Sequence, residues 1–140
     1  MKYLFLLITI TVAAFALACG SAGGPAAAGK TIKSGPAGNN LTVTIASPDG
    51  TLRKGNQDLT LTFADSSGKP VDVGSASLNF FMPAMGSMAA MNNPATLTTT
   101  STPGAYSAKV HLEMSGEWQA QIKYDGPAGK GNPTFPMTAQ

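Results

Sequence analysis

The residues most able to do chemistry are methionines. From Phe80 to Met91 the chain reads Phe-Phe-Met-Pro-Ala-Met-Gly-Ser-Met-Ala-Ala-Met, with Met82, Met85, Met88 and Met91 spaced three residues apart. Seven methionines occur in the whole sequence, so more than half lie in this one stretch. A thioether is a soft, uncharged donor that protonation cannot block, and several of them converging can hold Cu(I) where oxygen ligands would not. The competing use is packing, since methionine fills irregular gaps in cores. Pro83 and Gly86 break any regular helix through the run, which is therefore expected as a loop or short turns. His111 and Met114 add an imidazole and another thioether nearby in sequence. In a strand these two point to opposite faces, so they can join one site only if the strand ends near Met114, as Ser115-Gly116 allows. The candidate metal ligands are thus Met82, Met85, Met88, Met91, His111 and Met114, with Met85, Met88 and Met91 as the nucleus of the site.

Other chemistries find little support. His111 is the only histidine, and no nucleophile-elbow motif occurs, so hydrolytic catalysis is not expected. The acidic residues form no cluster suited to Ca²⁺ or Zn²⁺. Nine basic and seven acidic residues are scattered without blocks, giving no footprint for a nucleic-acid backbone. Gly24-Pro25-Ala26-Ala27-Ala28-Gly29-Lys30-Thr31 matches the phosphate-loop pattern letter for letter. The mechanism of that loop needs a buried strand before it and a helix after it. Low-complexity residues precede it and Gly35-Pro36 follows, so no nucleotide is expected.

The elements that must position the methionines begin with an export segment. Lys2 supplies a positive start, Tyr3 to Ala18 is an unbroken run of apolar residues and threonine, and small residues precede Cys19. The run is short for a membrane span. Ala16-Leu17-Ala18-Cys19 resembles the bacterial lipobox, in which the cysteine becomes an acylated N-terminus; Ala16 stands where leucine is commonest. Cys19 is the only cysteine, which excludes an intramolecular disulfide and a thiol metal site. The expected organisation is a signal peptide over residues 1–18, a lipidated flexible tether over 19–40 and one domain over 41–140. The tether is expected because Gly20 to Asn40 has Ile32 as its one large aliphatic residue.

Beyond Leu41 the pattern has period two. Leu41, Val43 and Ile45 alternate with threonines, as do Leu59, Leu61 and Phe63. Ala76, Leu78 and Phe80 lead into the methionine run, and Ala95 to Ser101 reads as extended. Tyr106, Ala108, Val110 and Leu112 form another inward set, and Trp118, Ala120, Ile122 and Tyr124 form the next. Gly126 to Pro133 reads as a loop; Phe135 and Met137 close a last strand that Pro136 confines to a sheet edge. About seven short strands with Gly/Pro turns and no helical period point to an all-β, antiparallel β-sandwich.

Several pieces of this chain resemble the YtkA-like domain, a relative of the FixH-like proteins. They are Ser47-Pro48 with Gly55, Leu59-Thr60-Leu61, Asp65 with Gly68-Lys69-Pro70-Val71, Met82 to Met88, Gly104-Ala105-Tyr106, and Met114-Ser115-Gly116-Glu117-Trp118. The resemblance spans about Leu41 to Met137. It implies an extracytoplasmic immunoglobulin-like β-sandwich, often on a lipoprotein or fused to copper-handling and cation-transport proteins. The expectation is a binding module rather than an enzyme: a bacterial membrane lipoprotein, periplasmic or facing the cell surface, held by Cys19. Copper is the one cofactor its ligands suit. The alternative is an assembly factor whose methionine loop is an apolar surface for a membrane transporter or oxidase.

Overall fold

A computed structural model describes residues 29–140. The signal peptide expected over residues 1–18 and the lipidation expected at Cys19 lie outside the described residues. Among the described residues there are ten strands: β1 (Lys30–Gly38), β2 (Leu41–Ser47), β3 (Gly55–Ala64), β4 (Ser75–Met82), β5 (Met91–Pro94), β6 (Thr96–Thr99), β7 (Ala105–Leu112), β8 (Gly116–Gly126), β9 (Gly129–Gly131) and β10 (Thr134–Ala139). One antiparallel sheet runs β1-β2-β3-β7-β6 and the other β10-β8-β4-β5, with β9 beside β10 along the same edge of β8. The two sheets face each other as a sandwich, the fold expected from the alternation.

Period-two alternation converts directly into burial. Leu41, Val43 and Ile45 of β2, Leu59, Leu61 and Phe63 of β3, and Tyr106, Ala108, Val110 and Leu112 of β7 are buried from one side. Leu78, Phe80 and Met82 of β4 and Trp118, Ala120, Ile122 and Tyr124 of β8 are buried from the other. Phe63 sits edge-on to both Tyr106 and Tyr124, with ring centroids 6.1 and 5.3 Å away. Met137 pairs with Trp118, and the β4–β8 register carries Met82 to the opposite side of Trp118. Methionine thus flanks the indole on both sides, a role suited to a flexible, polarisable side chain.

The strand count departs from about seven, and the largest departure corrects the tether. Residues 30–38 form β1, which pairs with β2 from Lys30 opposite Ser47 to Gly38 opposite Leu41. Asn39 and Asn40 make the connection, both with positive φ (53° and 60°). This is the two-residue turn that matches strand twist, and asparagine tolerates it. The Tyr124 hydroxyl donates to the Ala37 carbonyl (3.0 Å), and the Asn39 amide donates to the Tyr124 oxygen (3.0 Å) and the Lys130 carbonyl (2.9 Å). Gly35 lies under the Phe135 ring, where a Cβ would come within 2.5 Å of a ring carbon. A strand needs backbone partners, not apolar side chains, so a Gly/Ala/Ser/Lys composition hides it. The same holds for β9, which occupies part of the expected loop 126–133. Lys30 and Thr31, the end of the phosphate-loop look-alike, open a strand rather than a helix.

Register also sorts the ends of the sandwich. Lys30 lies opposite Ser47, Gly55 opposite Leu112, and Gly116 opposite Ala139, while residues 113–115 link β7 to β8. Met82, at the end of β4, lies opposite Met91, at the start of β5. The start of β1, the β7–β8 turn and the β4–β5 hairpin therefore share one end.

Two stability outcomes are expected. Trp118 is only 1% exposed, and Trp118→Ala should cost about 3 to 5 kcal/mol, a large share of a small domain's stability. A thermal midpoint equal to the parent's would show the indole to be dispensable. A chain beginning at Leu41 should melt well below one beginning at Gly29, because β1 covers the edge of β2 and receives the Tyr124 hydroxyl; equal midpoints would restore the tether reading.

Candidate metal centre

The four evenly spaced methionines form two cross-strand pairs. Met82 lies opposite Met91 in the β4–β5 ladder, and Met85 lies opposite Met88 at the tip. The Met85 amide donates to the Met88 carbonyl (3.1 Å) and the Met88 amide donates to the Met85 carbonyl (2.9 Å). Gly86 and Ser87 are the two turn residues, and Gly86 has the positive φ (57°) that a glycine-first hairpin turn requires. Directly opposed residues share a face, with Cβ atoms about 4.5 to 5.5 Å apart. Three residues is an odd number of strand steps, so the inner and outer pairs address different surroundings.

Burial shows the division. Met82 is 1% exposed, its methyl group lying against Gly116, and Met91 is half-buried against the core. Met85 and Met88 are 51% and 39% exposed, the exposed large hydrophobic residues among those described. All of Pro83 to Ala90 is exposed and none of it is charged.

The other two candidates occupy separate places. β7 ends at Leu112, which frees Met114 from the strand's alternation; it sits in the β7–β8 turn, half-buried against the core. Its carbonyl accepts the Trp118 indole N–H at 3.1 Å. His111 faces outward from the first sheet, with Nδ1 2.8 Å from the Asn56 side-chain oxygen. Its ring is thus directed to the outer face of β3 and β7, away from the core that Met91 and Met114 pack against. The structure joins Met85 to Met88 and Met82 to Met91, puts Met114 at the same end of the sandwich, and sets His111 apart.

The donor chemistry of the tip is soft. Among the described residues no three of His, Cys, Asp and Glu stand together in a way that could hold a hard or borderline ion. A groove of about 480 Å³ lined by Ser75, Ser77, Lys123, Asp125 and Lys130 contains none of the candidate ligands. It carries a Lys130–Asp125 ion pair at 2.8 Å, and this hydrogen bond raises the Lys130 pKa above its ordinary value.

One residue without a sequence signal matters at this end. Asn93 of β5 is 8% exposed, and its amide donates to the His111 carbonyl at 2.6 Å, tying the edge of the second sheet to β7. Its side-chain oxygen is buried without a hydrogen-bond partner. Asparagine in a short polar strand reads as exposed; its burial follows from the crossing of the chain between sheets just after Pro94.

The exposure pattern predicts an order of oxidation. Mild peroxide should convert Met85 and Met88 to sulfoxides well before Met82 or Met137, read by peptide mass. Equal rates at all four would contradict the division into a solvent pair and buried partners.

A comparison with curated proteins finds no match. Residues 37–123 match the YtkA-like family, beginning inside β1 and ending in β8. That match covers more than half of the chain and includes the methionine hairpin and the turn at Met114: the protein belongs to the YtkA-like family.

Proposed function

We propose that the protein is an extracytoplasmic, lipid-anchored binding module that holds Cu(I) at the tip of its β4–β5 hairpin. The observation that carries this reading is the Met85–Met88 pair. Two soft donors are held directly opposite one another by a closed turn, and both are open to solvent. Exposure of large apolar side chains carries a cost in water that a ligand or partner would relieve. Met91 and Met114, half-buried at the same end, are the thioethers available to complete the shell, and Met82 supports Met91 from the adjacent strand. Thioethers bind a soft ion without releasing protons, so uptake should depend little on pH. A copper-handling partner would then receive or supply the ion at an exposed tip. Binding rather than catalysis is the proposed role, since the lone histidine has its Nδ1 engaged with Asn56.

Exposure of the same pair also favours a second reading. An uncharged methionine tip is an adaptable apolar surface, suited to contact with a membrane complex under assembly, with no metal.

The domain from Gly29 to Gln140, under conditions that keep copper reduced, should take up Cu(I) in competition with a weak chelator and show no comparable uptake of Zn²⁺ or Ca²⁺. Met85→Leu with Met88→Leu keeps size and apolarity at a typical cost under about 1.5 kcal/mol per site. The double variant should stay folded and lose most Cu(I) uptake, whereas His111→Ala should retain it. Absence of Cu(I) uptake by the parent would remove the metal and leave the partner surface. For the anchor, Cys19→Ser should release the protein from the membrane fraction; retention with an unchanged lipid label would refute acylation at Cys19.

A further inference from the structure

The start of β1 and the methionine tip lie at the same end of the sandwich, which orients the tip relative to any anchor upstream. Lys30 opens β1 opposite Ser47, and the β4–β5 hairpin leaves the second sheet at that end. Correction of the tether shortens the stretch between Cys19 and the first strand to Gly20 to Gly29. Whatever their conformation, ten residues span at most about 35 Å. The sandwich is itself roughly 35 Å long, judged from the 11 residues of β8 at about 3.3 Å each. A tether this short keeps the methionine end beside the anchor. The opposite end, with the loop around Ser66, can approach the anchoring surface only with the tether drawn out along the whole domain.

We infer that the Met85–Met88 tip rests against the bilayer that carries the anchor, an inference built on the acylation of Cys19 in the reading above. The tip is made for shallow contact with lipid. Pro83 to Ala90 carries no charge that would have to be desolvated. The Met85 and Met88 amides and carbonyls satisfy each other across the turn, as backbone entering an apolar phase must. Two methionines supply too little apolar area to hold a free protein on a membrane. Attachment through Cys19 makes the contact intramolecular, at an effective concentration of about millimolar, so that a weak contact becomes populated. Charges of both signs share this end, Lys30, Arg53 and Lys54 with Asp49, Glu113 and Glu117. With no excess of one sign, the contact should depend little on salt or on anionic lipid. A soft-ion site on this tip would therefore load and unload at the membrane surface rather than in bulk solvent.

The test uses the full chain, extracted from membranes and placed in phosphatidylcholine vesicles with a quencher at headgroup depth. With the Cys19 thiol consumed by acylation, Ser87→Cys or Ser66→Cys supplies a single labelling position for an environment-sensitive fluorophore. Quenching at position 87 should exceed that at 66 severalfold, change little between 50 and 300 mM salt, and fall when Met85→Gln and Met88→Gln are added. Equal quenching at the two positions, or quenching at 87 that ignores the glutamines, overturns the contact. An intact mass without acyl groups on Cys19 overturns the anchor and the inference together. Cu(I) uptake by the lipid-free domain bears on the metal reading alone, so the two can fail separately.

Discussion

The domain has no disulfide to staple it, because the sequence holds one cysteine, at position 19, ahead of every described strand. Its fold rests on two inward faces filled by alternate residues of each strand, closed around Phe63 from one sheet and Trp118 from the other. That constraint explains the use of methionine. Beside an indole ring, Met82 and Met137 fill space that a branched side chain would fit less well, and the residues serve structure at these positions before any ligand is considered. The same residue type acquires a different meaning one turn further out, where the hairpin leaves the sandwich and Met85 and Met88 have no core to fill.

Edges are the second constraint. A sheet edge exposes unpaired amides and carbonyls, a template for unwanted pairing. Here β1 covers one edge of β2, β9 and β10 divide the free edge of β8, and Pro136 lies in the outermost strand of that sheet. The Tyr124 hydroxyl and the Asn39 amide fasten β1 across to the other sheet, which gives residues 30–38 a structural task. By consuming residues that would otherwise be linker, this fastening also shortens the distance from Cys19 to the first strand.

At the crossing from β5 to β6 the chain passes between sheets, and Asn93 joins them through the His111 carbonyl. The join fixes β7 near its end, where Met114 begins the turn to β8 and accepts the Trp118 indole. His111 contributes its backbone to this arrangement, while its ring turns outward to Asn56. His111 and Met114 are therefore close in sequence but not in surroundings: the first projects from the outer face of β7, and the second belongs to the turn beyond its end.

Alternation alone determined the all-β class, the inward sets on β2, β3, β4, β7 and β8, and the burial of Trp118, because a period of two leaves only one way to face a core. Turn chemistry placed most of the breaks between strands, and Pro83 with Gly86 excluded a helix through the methionines. Composition misread residues 30–38 and 129–131, since backbone pairing leaves no trace in side-chain hydrophobicity and the partners of these strands lie far away in sequence. A spacing of three made Met82, Met85, Met88 and Met91 look equivalent. Only tertiary structure separated them, because the register of a hairpin decides which residues stand opposite one another, and the place where the hairpin leaves the sandwich decides which pair is buried. The burial of Asn93 and the shared end of β1 and the methionine tip were likewise undetermined by sequence, being properties of how two sheets are stacked and connected.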